Sequence, residues 1–285
     1  MGVINITPNS FSDGNKFKNY AQFRDYFIDM LSWADVIDIG AESTAPFNDP
    51  IDSAIELERF EEFLFPLVSE LNDPHMFLSI DTYKPEVFYE VYLVVKHYWP
   101  ETHLIFNDVS GKIDDELALI LSDTDLDFDY VYSHNLSPRR LETSHHMDFC
   151  SKKDSYDFLD EMVNYFRLGL EILGPITFNR KVWIDPCFGF SKNRSQNQFL
   201  LKNIHYFLEG IPSNISVLYG ISRKSFLRVP QELDPKCSDN IEVLDQMQTV
   251  FIYDLLRNAI DREFLFRIHS VNSLKSAVNI ISIIE

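Results

Sequence analysis

Short runs of β-branched and aromatic residues alternate along this chain with longer stretches in which apolar residues recur every three or four positions. The short runs at 2–6, 36–39, 77–81, 104–108, 130–134, 182–185, 217–221 and 266–269 predict strands. The longer stretches near 20–34, 53–71, 85–98, 114–122, 155–173, 195–209, 241–262 and 271–284 predict helices. Strands separated by helix-length segments form right-handed βαβ units on a parallel sheet. About eight such units predict an α/β protein, a closed (β/α)8 barrel formed as a single domain over residues 1–285. No G-x-G-x-x-G follows the first strand, and FGFSK at 188–192 lacks the G-K-[ST] ending of a phosphate loop.

The C-terminal ends of the predicted strands are polar throughout. They read Asn5, Asp38, Asp81, Asn107, His134, Asp185, Ser222 with Lys224, and Arg267 with His269. One polar strand end merely caps the next helix. Eight of them on the face where barrel active sites lie predict a functional mouth. Long connections at 40–52, 135–154 and 228–240 are expected to shape access to it.

Composition narrows the chemistry. With 44 acidic and 25 basic residues the net charge is −19, which disfavours nucleic acid as a partner because phosphate contacts need a basic face. An anionic substrate would need a local cationic pocket. No apolar run approaches the roughly 20 residues that span a bilayer. The N-terminus lacks the order of a signal peptide. Three scattered cysteines, Cys150, Cys187 and Cys237, suit a reducing compartment, so a cytoplasmic location is expected. The apolar stripe VFIYDLL at 250–256 reads as core or as a homodimer surface.

Asp81 and Asp185 are expected to face each other across the mouth with Asn107 between them. Such a trio suits a flat heterocycle rich in N–H donors, with the amide of Asn107 giving one donor and one acceptor. Lys224 would answer a ring carbonyl and balance the carboxylates. Arg267 and His269, two residues apart on one face, would meet Asn5 at the barrel seam as a cationic corner. A diphosphate fits there, with Mg²⁺ held through an amide oxygen of Asn5. SRKS at 222–225 is read as the start of a helix, whose N-terminus favours a carboxylate. The loop bearing His134, His145, His146 and Cys150 invites a zinc reading, but adjacent histidines reach one metal with difficulty.

The segments GVINITPNSFSDG (2–14), DIGAESTAP (38–46), SIDTYKPEV (79–87), FNDVSG (106–111), IDPCFGFSK (184–192), YGISRKSFL (219–227) and RIHSV (267–271) together resemble dihydropteroate synthase. The resemblance spans nearly the whole chain. It implies joining 4-aminobenzoate to a dihydropterin methyl diphosphate, giving dihydropteroate and diphosphate in folate synthesis. It also implies that Asp81, Asn107, Asp185 and Lys224 hold the pterin. Asn5, Arg267 and His269 would hold the diphosphate, Asn5 also touching Mg²⁺. Thr44, Pro46, Phe190 and Ser222 would border the aminobenzoate. The chain departs from the family pattern at several positions. Ala45 stands for an arginine, Phe47 for a glycine and Asn9 for an aspartate; SHN (133–135) stands for Met-His-Met, and Cys187 and Ser191 for glycines. These departures leave open a pterin-binding barrel without condensation, or, more remotely, a pterin-dependent methyltransferase of related fold.

Overall fold

A computed structural model of the chain describes residues 1–7, 17, 19–45, 48–177, 180–228, 240–258 and 262–276. Its eight strands are β1 (Gly2–Asn5), β2 (Val36–Gly40), β3 (Phe77–Asp81), β4 (His103–Asp108), β5 (Phe128–Ser133), β6 (Val182–Asp185), β7 (Ser216–Tyr219) and β8 (Phe264–Phe266). They pair in parallel in chain order. Ile268 N–H donates to the Met1 carbonyl at 3.0 Å and Val3 N–H to the Ile268 carbonyl at 3.1 Å. These bonds join the last strand's exit to the first strand and close the barrel. Glycine is needed at the seam, since a Cβ on Gly2 would strike Met30 Sδ and crowd Val271.

Alternate side chains of each strand turn in and out. Met1, Val36, Ile105, Val131, Trp183 and Leu218 make one buried plug inside the barrel. The same phase, carried two residues on, puts Asp38, Asn107, Ser133 and Asp185 above that plug. The outward phase, including Ile37, Ile39, Leu78, Ile80, Phe106 and Tyr130, packs under the helices in the larger core. Phe106, for example, stacks on Phe88 with centroids 4.4 Å apart.

The helices are α1 (Tyr20–Leu31), α2 (Ser53–Glu70), α3 (Pro85–Tyr98), α4 (Asp115–Ser122), α5 (Ser155–Thr177), α6 (Arg194–Lys202), α7 (Ile204–Glu209) and α8 (Ile241–Asn258), with helical backbone again at 271–276. Polar caps start several of them: Asn19 accepts from Gln22 N–H, Asp114 from Leu117 N–H, and Asn193 forms a reciprocal capping box with Gln196. No described helix is long and apolar enough to cross a membrane. Cys150 and Cys187 are free thiols; Cys237 lies outside the described residues.

The structure departs from the sequence reading in places. The helix expected over 195–209 divides at Asn203, whose backbone (φ −116°, ψ 30°) leaves the helical region. The last strand ends at Phe266, so Arg267 and His269 lie just beyond it rather than within it. SRKS does not start an α-helix among the described residues; Ser225–Leu227 form one 3-10 turn. The 250–256 stripe splits, with Ile252 and Leu255 buried and Val250 and Leu256 exposed. His134 is not in the mouth: β5 begins two residues earlier than expected, Ser133 takes the inward phase, and His134 is buried behind the strand against Tyr165. The connection at 135–154 contains 3-10 backbone over Arg140–Phe149, broken by a kink at His145 (φ −92°, ψ 17°).

Arg140 anchors that 3-10 helix to the exit of β4. Its guanidinium donates to Asp108 Oδ2 (2.9 Å), Ser110 Oγ (2.8 Å), the Tyr83 and Lys112 carbonyls, and both oxygens of Asp114. Asp108 is fully buried, so removing its paired cation leaves the charge only the Ser110 N–H (2.9 Å) and Tyr130 Oη (3.2 Å) bonds. Arg140→Met is expected to lower unfolding free energy by about 3–5 kcal/mol in urea titration.

Candidate active site

The strand ends open on one cavity of about 600 Å³. Of the residues singled out from sequence, Asn5, Thr44, Asp81, Asn107, Asp185, Phe190, Ser222, Lys224, Arg267 and His269 line it. Pro46, Phe47 and Asn9 lie outside the described residues.

At its base Arg267 joins two carboxylates. Nε donates to Asp38 Oδ2 at 2.7 Å and Nη2 to Asp81 Oδ2 at 2.6 Å. Asp38 is fully buried and also accepts from Ser79 Oγ (2.6 Å) and Asn107 Nδ2 (3.2 Å). One of the two N–H donors of the Asn107 amide is therefore used. Its Oδ1 is buried and has no hydrogen-bond partner among the described residues. Asp81 and Asp185 both line the cavity, but Asp81 meets Arg267 rather than standing free opposite Asp185.

One guanidinium shared by two carboxylates leaves a charge short. Burial pushes the Asp81 carboxyl up to about 7, more than nearby Arg267 offsets. Arg267 loses stability as a cation through burial but gains more from Asp38 and Asp81, so it is held charged. Burial also raises the Asp185 carboxyl, against one backbone bond from Cys187 N–H at 2.7 Å.

The loop after β6 has an unusual backbone. Cys187 (φ 54°), Gly189 (φ 87°) and Ser191 (φ 50°) all adopt the left-handed conformation. This explains why the resembled pattern has glycine at all three positions. Ser191 offsets part of its strain with bonds: its Oγ accepts from Leu136 N–H (2.9 Å) and donates to the His146 carbonyl (3.2 Å). The loop turns Phe190 beneath Lys224, whose Nζ lies 5.2 Å from the ring centroid. Burial lowers the pKa of the Lys224 amine. Lys192, further along the loop, is buried against His134 Nδ1 (2.9 Å) and two carbonyls, and burial lowers it to about 8.

Two loops complete the mouth. Ser222 Oγ lies 2.8 Å from His269 Nδ1 and accepts from the His269 N–H at 3.2 Å, tying the exits of β7 and β8 together. The loop after β2 is braced by Asn48 Nδ2 donating to Ser43 Oγ at 2.8 Å, with Thr44 and Ala45 against the cavity. Glu42 pins both ends of that loop, accepting from Lys84 Nζ (2.5 Å), Tyr83 Oη (2.9 Å) and Ile51 N–H (3.1 Å). Sequence reasoning missed Glu42, Cys187 and His146 as cavity residues. The His-rich loop signalled His146 but not where its ring would lie. His145 is exposed and His146 buried, so the adjacent rings diverge.

The profile of the family described as "Pterin binding enzyme" matches residues 1–266. A dihydropteroate synthase of Streptococcus pyogenes is 30% identical over 228 residues, covering 79% of this chain and 74% of that protein. The dihydropteroate synthase of Anaplasma phagocytophilum, solved with bound 6-hydroxymethylpterin-monophosphate, has a TM-score of 0.74 at 22% identity, over 100% of this chain and 98% of that one. That of Thermus thermophilus, in complex with 4-aminobenzoate, has a TM-score of 0.71 at 21% identity, over 100% of this chain and 93% of that one. The chain belongs to the pterin-binding enzymes and, within them, to the dihydropteroate synthases.

Proposed function

We propose that the mouth condenses a (7,8-dihydropterin-6-yl)methyl diphosphate with 4-aminobenzoate, giving 7,8-dihydropteroate and diphosphate. The observation that carries this reading is one cavity at the strand ends that brings Asp81, Asp185 and Asn107 together with Lys224, Arg267 and His269. Asp185, Asp81 and Asn107 Oδ1 form a set of acceptors for the N–H groups of a flat pterin, and Lys224 answers its ring carbonyl. Buried acceptors reject a heterocycle that cannot satisfy them.

Arg267, His269 and Asn5 take the diphosphate. The lone pair of the arylamine nitrogen forms the new bond to the pterin methylene carbon. The methylene C–O bond breaks, its electron pair leaves with diphosphate, and the amine then releases one proton to solvent. No protein nucleophile is used; the chain's work is to orient two rings and stabilise charge on the leaving group. Thr44, Pro46, Phe190 and Ser222 border the arylamine. Ser222 does so as a hydroxyl at a turn, because the short 3-10 segment after it has no α-helix dipole to offer.

Among the described residues no three His, Cys, Asp or Glu side chains converge on a metal site. An amide oxygen at Asn5, in the same cavity as Arg267 and His269, fits Mg²⁺ as a partner of the diphosphate, since Mg²⁺ keeps several waters and binds substrate phosphates with one or two protein oxygens. Asn5, half-buried at the mouth, would supply an amide oxygen. The ion would neutralise charge on the departing diphosphate.

Incubation with the pterin diphosphate, Mg²⁺ and labelled 4-aminobenzoate is expected to yield labelled dihydropteroate; no product sinks the reading. Lys224→Ala should lower kcat/KM for the pterin diphosphate by roughly 100-fold, the scale of a lost charged hydrogen bond at a desolvated site. Pterin binding requires Asp81 ionised as an acceptor, so affinity should fall as pH drops through about 7. Fluorescence titration between pH 5.5 and 8.5 would check this, and Asp81→Asn should flatten the profile. Restoring the two loop charges, Ala45→Arg with Asn9→Asp, is expected to lower the KM for aminobenzoate severalfold; an unchanged KM would mean those positions do not act on this substrate.

A further inference from the structure

His146 stands where three segments of the mouth meet. It follows the kink at His145 in the 3-10 segment that Arg140 begins, is 1% exposed, and lines the cavity. Its ring stacks on Phe190 with centroids 4.0 Å apart and planes 23° from parallel. The Ser191 N–H points to its Nδ1 at 3.4 Å, and the Thr44 backbone faces the same ring. Burial, with Lys224 and Lys192 nearby, pushes the imidazole down to about 3, so it is neutral at physiological pH. With Nδ1 taken as acceptor, the ring proton belongs on Nε2. Nε2 is buried and has no hydrogen-bond partner among the described residues.

The imidazole therefore backs Phe190 on one side and abuts the β2–α2 loop at Thr44 on another. Ala45, next to Thr44, brings only a methyl group to this wall. A flat neutral ring at that point sets shape rather than charge. It also fixes the phenyl ring that lies under Lys224.

We propose that His146 is the positioning residue that sets specificity for the arylamine, holding Phe190 and Thr44 in one wall of the second-substrate pocket. This rests on the condensation reading for the identity of that substrate. The ring stack is the working part, and its loss loosens the Phe190 wall without touching the pterin acceptors. One aromatic pair lost corresponds to roughly three- to tenfold in affinity.

The test compares wild type with His146→Ala and His146→Phe. His146→Ala is expected to raise the KM for 4-aminobenzoate roughly three- to tenfold, with kcat and the Kd for the pterin diphosphate within about twofold. His146→Phe keeps a flat buried ring and should bring the KM back to within about twofold of wild type. An unmoved KM in His146→Ala overturns the proposal, as does an equal loss for both substrates. Should His146→Ala fail to fold, His146→Phe decides: an arylamine KM far above wild type contradicts the stack. Calorimetric binding of 4-aminobenzoate to protein loaded with the pterin alcohol and diphosphate separates the two readings. Weaker binding in His146→Ala supports this role even if wild type makes no product. A wild type that makes product but binds and uses aminobenzoate no better than His146→Ala overturns this role alone. A wild type that binds no aminobenzoate overturns both.

Discussion

The mouth of this barrel depends on one shared cation. Arg267 comes from the end of the chain and meets Asp38 from the second strand and Asp81 from the third. Without it, two carboxylates would face each other above an apolar plug of Val36, Ile105, Val131, Trp183 and Leu218. Unpaired charge in such a place is not tolerated. With it, the last strand's exit is held across the barrel seam and the acceptors of the site are set. Asp38 further binds the Asn107 amide nitrogen, which fixes the orientation of that amide. A charge pair, a closure and a recognition group thus share one arrangement.

The rest of the mouth is built outward from that point by loops that are each tied down. Glu42 fixes both ends of the loop after the second strand, and Arg140 fixes the 3-10 helix after the fifth. Ser191 ties the loop after the sixth strand to its neighbour despite its left-handed backbone. The strain at Cys187 and Ser191 is local, and it has a structural return: Phe190 is turned into the cavity between His146 and Lys224. The departures from the family's glycines therefore change the loop's composition without changing the path that glycine would take.

Much of this was legible in the chain. Short β-branched and aromatic runs separated by helical stretches place the eight strands to within three residues at either end, and the polar strand ends mark the cavity. What periodicity could not supply was phase and partner. His134 looked like a strand end, yet the strand starts at Phe128, Ser133 takes the inward phase, and His134 falls behind the barrel. Asp38 and Arg267 are 229 residues apart, and only closure of the barrel brings them within 2.7 Å. The ring of His146 lies on an irregular connection, where no repeating pattern fixes direction. SRKS reads as a helix start, but the chain makes a single 3-10 turn there, Ser225–Leu227.

The account's central claim is that one cavity holds both rings of the condensation, pterin at the base and aminobenzoate at the Phe190 wall. A crystal structure with dihydropteroate bound tests this most directly. It should show the pterin N–H groups on Asp185, Asp81 and Asn107 Oδ1, with the benzoate ring against Phe190. A product lying elsewhere, or a pterin ring making no bond to those three acceptors, would contradict it.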